Sequence, residues 1–144
     1  MKTRILIAMA ALIAAMLCST VALQAQGPTP IMAKVDVPFA FVAGGMTMPA
    51  GRYNLFHIVN PNVILIRSSD LKAAAMVHVN WSLTGAKASA NKMVFHRYGE
   101  KYFLAEVWTA RDNERHDCLQ SSAERELATS RAKPPVVATV YSRP

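Results

Sequence analysis

The stretch Val35–Tyr53 (VDVPFAFVAGGMTMPAGRY) constrains the fold of this chain more than any other. Val35, Val37, Phe39 and Phe41 alternate with smaller or polar residues. In an extended segment they share one face, because successive side chains point to opposite sides of a strand. Pro38 sits inside that run and cannot donate to a ladder, so the segment lies at a sheet edge or bends there. Gly44-Gly45 breaks the pattern. Pro49-Ala50-Gly51 then suits a tight turn, with proline presetting the first corner and glycine tolerating positive φ at the next. A small β domain is the expected product.

Further runs extend this reading. Arg52–Val59 and Val63–Arg67 flank Asn60-Pro61-Asn62 and predict a hairpin. With those three residues as its loop, Ile58 faces Ile64 and Phe56 faces Ile66, giving one apolar core side. His57 and Arg67 then fall on the opposite, surface side. Ser68–Lys72 is a turn and Ala73–Val79 a third strand. Asn80–Asn91 is polar and small-residue-rich, a loop carrying Trp81.

Lys92–Tyr98 and Lys101–Trp108 form the strongest hairpin. Gly99-Glu100 fits a two-residue type II′ turn, which needs glycine first. The register pairs His96 with Phe103, Phe95 with Leu104 and Val94 with Ala105. One face holds Met93, Phe95, Leu104 and Trp108 with Arg97, Tyr102 and Glu106; the other holds Val94, His96, Phe103 and Val107. Both faces are largely apolar, so both are expected to be covered. Thr109–Cys118 reads as a charged loop. Ser121-x-x-Glu124 has capping-box spacing and opens a short helix, Ser122–Ser130, with Ala123 and Leu127 on one side. Val136–Tyr141 is a β-rich tail able to complete a sheet. The expected fold is a small antiparallel β-sandwich or partly closed barrel with one short C-terminal helix.

The N-terminus has the layout of a secretory signal peptide: Lys2 and Arg4, the apolar run Ile5–Leu17, then small and polar residues. That run is too short to span a membrane. Cleavage after Ala22 fits the small-x-small rule, and cleavage after Ala25 leaves a polar Gln26 start. A lipid anchor at Cys18 is disfavoured by the bulky Leu17 before it. The expected organisation is a signal peptide over residues 1–25, an extended leader over 26–32 and a single β domain over 33–144. Removing the leader peptide leaves roughly 120 residues, enough for one core. Periplasmic or extracellular residence follows, with membrane contact only through the uncleaved signal peptide.

The formal net charge of +7 loses two units with Lys2 and Arg4. The remaining bases are scattered without a run, which argues against a nucleic-acid partner and fits weak attraction to anionic envelope polymers. Export leaves Cys118 as the chain's one cysteine, so an internal disulfide is excluded. A free thiol and an intermolecular disulfide stay open, the former being simpler.

Several blocks together, Val37-Pro38-Phe39-x-Phe41-x-x-Gly44-Gly45, Pro49-Ala50-Gly51-x-Tyr53, His96-Arg97-Tyr98-Gly99, Tyr102–Trp108 and Ser122–Ala128, resemble small exported bacterial proteins of uncharacterised function. The resemblance implies an exported β domain and carries over no catalytic residues.

Chemistry is sparse at the level of motifs. His57, His78 and His96 lie on three predicted strands and point differently, and no HxH or HExxH pair supplies two ligands from one element. His116-Asp117-Cys118 is the nearest local cluster. The sequence therefore offers no metal site and no cofactor, and no G-x-S-x-G elbow or phosphate loop. Arg97, Tyr98, Tyr102 and Glu106 crowd one hairpin and are the candidate binding patch, with hairpin packing as the plainer role. The expected function is a noncatalytic exported module that binds an envelope component or a protein. The alternative is a small enzyme or metal-dependent protein whose site is assembled from dispersed His and Glu residues. A buried cluster of two histidines and a carboxylate is the feature that separates the two.

Overall fold

A computed structural model describes residues 29–58, 60–85, 89–130 and 134–142. The expected signal peptide and the first part of the leader lie outside the described residues. Ten strands and one helix follow in order: β1 Ile31–Val37, β2 Phe41–Ala43, β3 Met46–Met48, β4 Gly51–His57, β5 Val63–Ser68, β6 Ala74–Leu83, β7 Lys92–Tyr98, β8 Lys101–Thr109, β9 Glu114–Cys118, α1 Ser122–Ser130 and β10 Val136–Tyr141. The domain is mainly β with one short C-terminal helix, as the strand and turn patterns predict. Among the described residues no helix is long and apolar enough to cross a membrane.

The ladder runs β1-β4-β5-β6-β9-β8, with β7 and β10 continuing from β8 and the β2–β3 hairpin attached to it. All pairings are antiparallel except a short parallel contact of β2 with β8 at Val42 and Phe103. β6 is the corner of the fold. Its first half, Ala74–His78, pairs with β5, and its second half, Val79–Leu83, pairs with β9. β1 and β10 pack side by side without a ladder between them, leaving a groove along Val37, Pro38, Thr139 and Val140. The sheet therefore curls around one core without closing into a barrel.

Pro38 divides the opening stretch. β1 ends at Val37, and Phe41 begins a new strand. Phe39 lies between them, stacked on Tyr102 at 3.9 Å and edge-on to Phe95 at 5.2 Å. Phe41 meets Tyr53 and Phe95 in the same edge-to-face manner. Such pairs add to simple burial because ring edges and faces carry opposite partial charge. Gly44 and Gly45 both have positive φ and form the two-residue link between β2 and β3. Gly51, by contrast, is not left-handed: it is already the first residue of β4. The turn before it is held by the Tyr53 hydroxyl, which donates to the Pro49 carbonyl.

Four further expectations are corrected. The β4–β5 register pairs Leu55 with Ile66, Phe56 with Leu65 and His57 with Ile64, one step away from the three-residue loop. Asn60 uses its side chain to accept from the Asn62 amide and its carbonyl to accept from Val63, so the connection is longer. A one-residue slip exchanges faces. His57 consequently shares the inward face with Tyr53 and Leu55, whereas Phe56 and Arg67 stack together on the other. β6 continues through Leu83, so Trp81 belongs to a strand rather than a loop. Residues 114–118 are likewise a strand, β9.

In the β7–β8 hairpin, His96 pairs with Phe103 and Phe95 with Leu104 as expected, and Gly99 has the positive φ of the turn. Beyond them a bulge leaves Ala105 unpaired, so Val94 faces Glu106 rather than Ala105. The extra residue turns Val107 into the core and sends Glu106 and Trp108 to the opposite face. That opposite face is itself buried at Val94, Tyr98 and Phe103. α1 supplies part of the cover: Glu124, 2% exposed, places Oε1 2.8 Å from His96 Nδ1. The Ser121 hydroxyl accepts from the Glu124 amide at 3.2 Å, one half of the expected capping box. The glutamate side chain serves the sheet instead of the helix end. Ala123 and Leu127 are more exposed than Glu124, so the helix docks through its charged residue.

Candidate functional site

Inward positions along β9 are Glu114, His116 and Cys118, at the alternation a strand imposes. Cys118 lies opposite Val79 and stands against the apolar core. Moving toward the strand's start, the inward face becomes polar: first His116, 1% exposed, then Glu114. His57, the last residue of β4, comes in from across the core. In a flat sheet the three ladder steps from β4 to β9 would span about 14 Å. Curling of the sheet brings the His57 and His116 ring centroids to 5.3 Å instead.

Glu114 joins the two rings. Its Oε2 lies 3.2 Å from His116 Nε2 and 3.5 Å from His57 Nε2. One donor atom from each of the three residues falls within 4.8 Å of the others. A tetrahedral centre with bonds of about 2.0–2.1 Å sets its donors about 3.3 Å apart. Both carboxylate–imidazole distances are already close to that, and only the two imidazoles have to draw nearer.

His116 carries a second, independent signal. Both of its ring nitrogens are buried; Nε2 has the Glu114 carboxylate 3.2 Å away, and Nδ1 has no hydrogen-bond partner among the described residues. A neutral imidazole normally uses one nitrogen as donor and the other as acceptor, and leaving one of them unpaired when buried is costly. Burial pushes the His116 pKa below the ordinary imidazole value, with His57 adding to the depression and Glu114 and Asp117 opposing it. The neutral ring is the form that ligates a metal.

The four candidate residues of the β7–β8 hairpin are not brought into one patch. Arg97 and Tyr102 are cross-strand partners on the core-side face, with the guanidinium 5.5 Å from the ring centroid. Arg97 also donates to the Gly99 carbonyl at 2.7 Å, tying the turn. Tyr102 is covered by Phe39. Tyr98 is buried on the other face against Phe103. Glu106, also on that face, accepts from Trp108 Nε1 at 2.6 Å and lies 3.8 Å from Arg115. Arg115 is in turn held by Asp117 at 2.6 Å. His78 is exposed on β6 and His96 is paired with Glu124, so neither approaches the cluster.

Sequence reasoning missed the cluster because it needs two structural facts. Glu114-x-His116 is a same-face pair only if residues 114–118 form a strand, and His57 points inward only in the observed register. The i, i+2 spacing of Glu114 and His116 was the available signal.

Comparisons of the chain with protein-family models, curated proteins and solved structures find no match.

Proposed function

We propose that this chain is an exported β domain that binds a divalent transition metal through His57, Glu114 and His116. The observation that carries the reading is the buried His116, whose Nδ1 has no partner among the described residues and whose Nε2 meets the Glu114 carboxylate beside a second imidazole. Two imidazoles and one carboxylate suit zinc, copper, nickel, cobalt or iron. Calcium and magnesium prefer sites made of oxygen alone. The dispersed His/Glu alternative is thereby favoured over a purely structural envelope module. Export rests on the charged, apolar and small-residue sequence of the first 25 residues, and binding of an envelope component or a protein partner remains compatible with it.

Titrating the chelator-treated protein with cobalt(II) and zinc tests the reading. Saturable one-to-one binding is expected, with visible cobalt bands of a nitrogen/oxygen site. Glu114→Gln, close in shape and partly exposed, should weaken binding by at least about tenfold. Failure of the natively folded protein to bind any of these metals would overturn the proposal. Intact mass of protein recovered from the native cell envelope tests export: a start near Leu23 or Gln26 is expected, and a retained Met1 would refute cleavage.

A further inference from the structure

We infer that the centre is an open one, taking a small carboxylate ligand on the metal with the ligand's apolar body against Trp81 and Leu83. This rests on the metal-binding reading above.

The donor count leaves a coordination position free. Among the described residues only His57, Glu114 and His116 form a group with metal-ligand spacing. Cys118, next along the inward face of β9, lies outside it. The undescribed residues within the domain, positions 59, 86–88, 131–133 and 143–144, include no His, Cys, Asp or Glu. Three protein ligands are the arrangement of sites that keep a position for an external ligand, whereas structural sites use four.

Two of the three ligands have an exposed apolar neighbour on their own face. Trp81 is the direct cross-strand partner of His116, and Leu83 that of Glu114. Side chains opposite one another in an antiparallel pair stand about 4.5–5.5 Å apart at Cβ. The inward residues Ala75, Val77 and Val79 earlier on β6 are each 2% exposed. Trp81 and Leu83, on that same face, are 50% and 70% exposed. The inward face thus emerges into solvent at the cluster, and it emerges as apolar surface. Small-molecule sites combine such surface with a few convergent polar groups.

Charge selects the ligand's head. A divalent ion with one carboxylate and two neutral imidazoles has a net charge of +1, and the ion dominates the local field. A monoanion neutralises it. An apolar body beside a carboxylate matches both the charged centre and the exposed apolar residues next to it.

The test uses the cobalt(II)-loaded protein with acetate, benzoate and uncharged benzamide, read by the visible cobalt bands and by tryptophan fluorescence. Acetate and benzoate should both shift the bands, benzoate with about tenfold higher affinity, and benzamide should not. Trp81→Ala should still bind cobalt with the same visible bands and bring benzoate to within about twofold of acetate. Bands that bind cobalt but ignore both anions mean a closed centre and overturn this inference while leaving metal binding intact. A benzoate preference that is missing, or that survives Trp81→Ala, overturns the apolar half. Absence of any cobalt bands overturns the metal reading itself, and this inference with it.

Discussion

His57 and His116 face each other edge-to-face across 5.3 Å, from strands that do not pair and with Glu114 between them. Their proximity is a property of the curl in the sheet. β6 passes from pairing with β5 to pairing with β9, and that turn swings β9 over the end of β4.

The metal-free protein should lose stability as pH falls below about 6.5, with His116 a principal cause. Its imidazole has a depressed pKa when folded, chiefly because burial disfavours the charged ring. Between the depressed value and the unfolded one the unfolded chain binds more protons, so stability rises with pH. The contribution is complete above the unfolded value and is lost as pH falls toward the folded one. Urea unfolding in the presence of a chelator measures it. His116→Asn, which cannot titrate, should flatten the dependence between pH 7 and pH 5; an unchanged slope would exclude His116 as its source.

The elements legible in the sequence are those with local instructions. The β7–β8 hairpin follows from Gly99, whose positive φ fixes the register of the residues beside it. The helix Ser122–Ser130 follows from Ser121, whose hydroxyl caps it. β9 was hidden because its inward positions are Glu114, His116 and Cys118. A strand that turns polar groups inward loses the apolar alternation by which strands are found. The side on which His57 lies depended on the length of one loop, and nothing in Asn60-Pro61-Asn62 alone specifies it. The residues that make the candidate site are thus the ones that disguise its elements.

Gly44→Ala should be among the most damaging small substitutions. Gly44 has φ +56°, and a Cβ there would lie 2.2 Å from the backbone oxygen of Met76. Backbone strain and displacement of the β2–β3 tip from β6 together should cost at least about 2 kcal/mol. Gly45, with φ +82° and open space around it, provides the control. Gly45→Ala meets only the left-handed backbone penalty, about 1–2 kcal/mol. Equal costs in urea denaturation would show that the close approach to Met76 does not matter.

Cys118 should be inert in the folded protein. Its thiol is pushed far above the ordinary range by burial, with Asp117, Glu106 and Glu124 adding to the shift. The thiolate is the reactive form, so little nucleophile is present at neutral pH. Cys118 is half-buried, so a thiol reagent such as DTNB at pH 8 should label it far more slowly in the native protein than after urea is added. Rapid stoichiometric labelling of the native protein would instead favour a redox or cross-linking role.

Replacing Glu124 should undock the helix without unfolding the sheet. The helix has no strongly apolar buried face, and its buried residue is Glu124, whose carboxylate lies 2.8 Å from His96 Nδ1. Removing it leaves His96, half-buried beside Val94, Tyr98 and Phe103, without that partner, at a cost of about 1–3 kcal/mol. Ser121→Ala removes only the cap bond to the Glu124 amide and should cost about 1 kcal/mol. The two changes act on different things, the docking of the helix and its start. Hydrogen exchange separates them. Glu124→Ala should expose amides throughout Ser122–Ser130 while β7 and β8 stay protected, whereas Ser121→Ala should affect only the first turn. Equal exchange across α1 in both variants would mean that the helix is held by its own hydrogen bonds, and that the His96–Glu124 pair is incidental to its position.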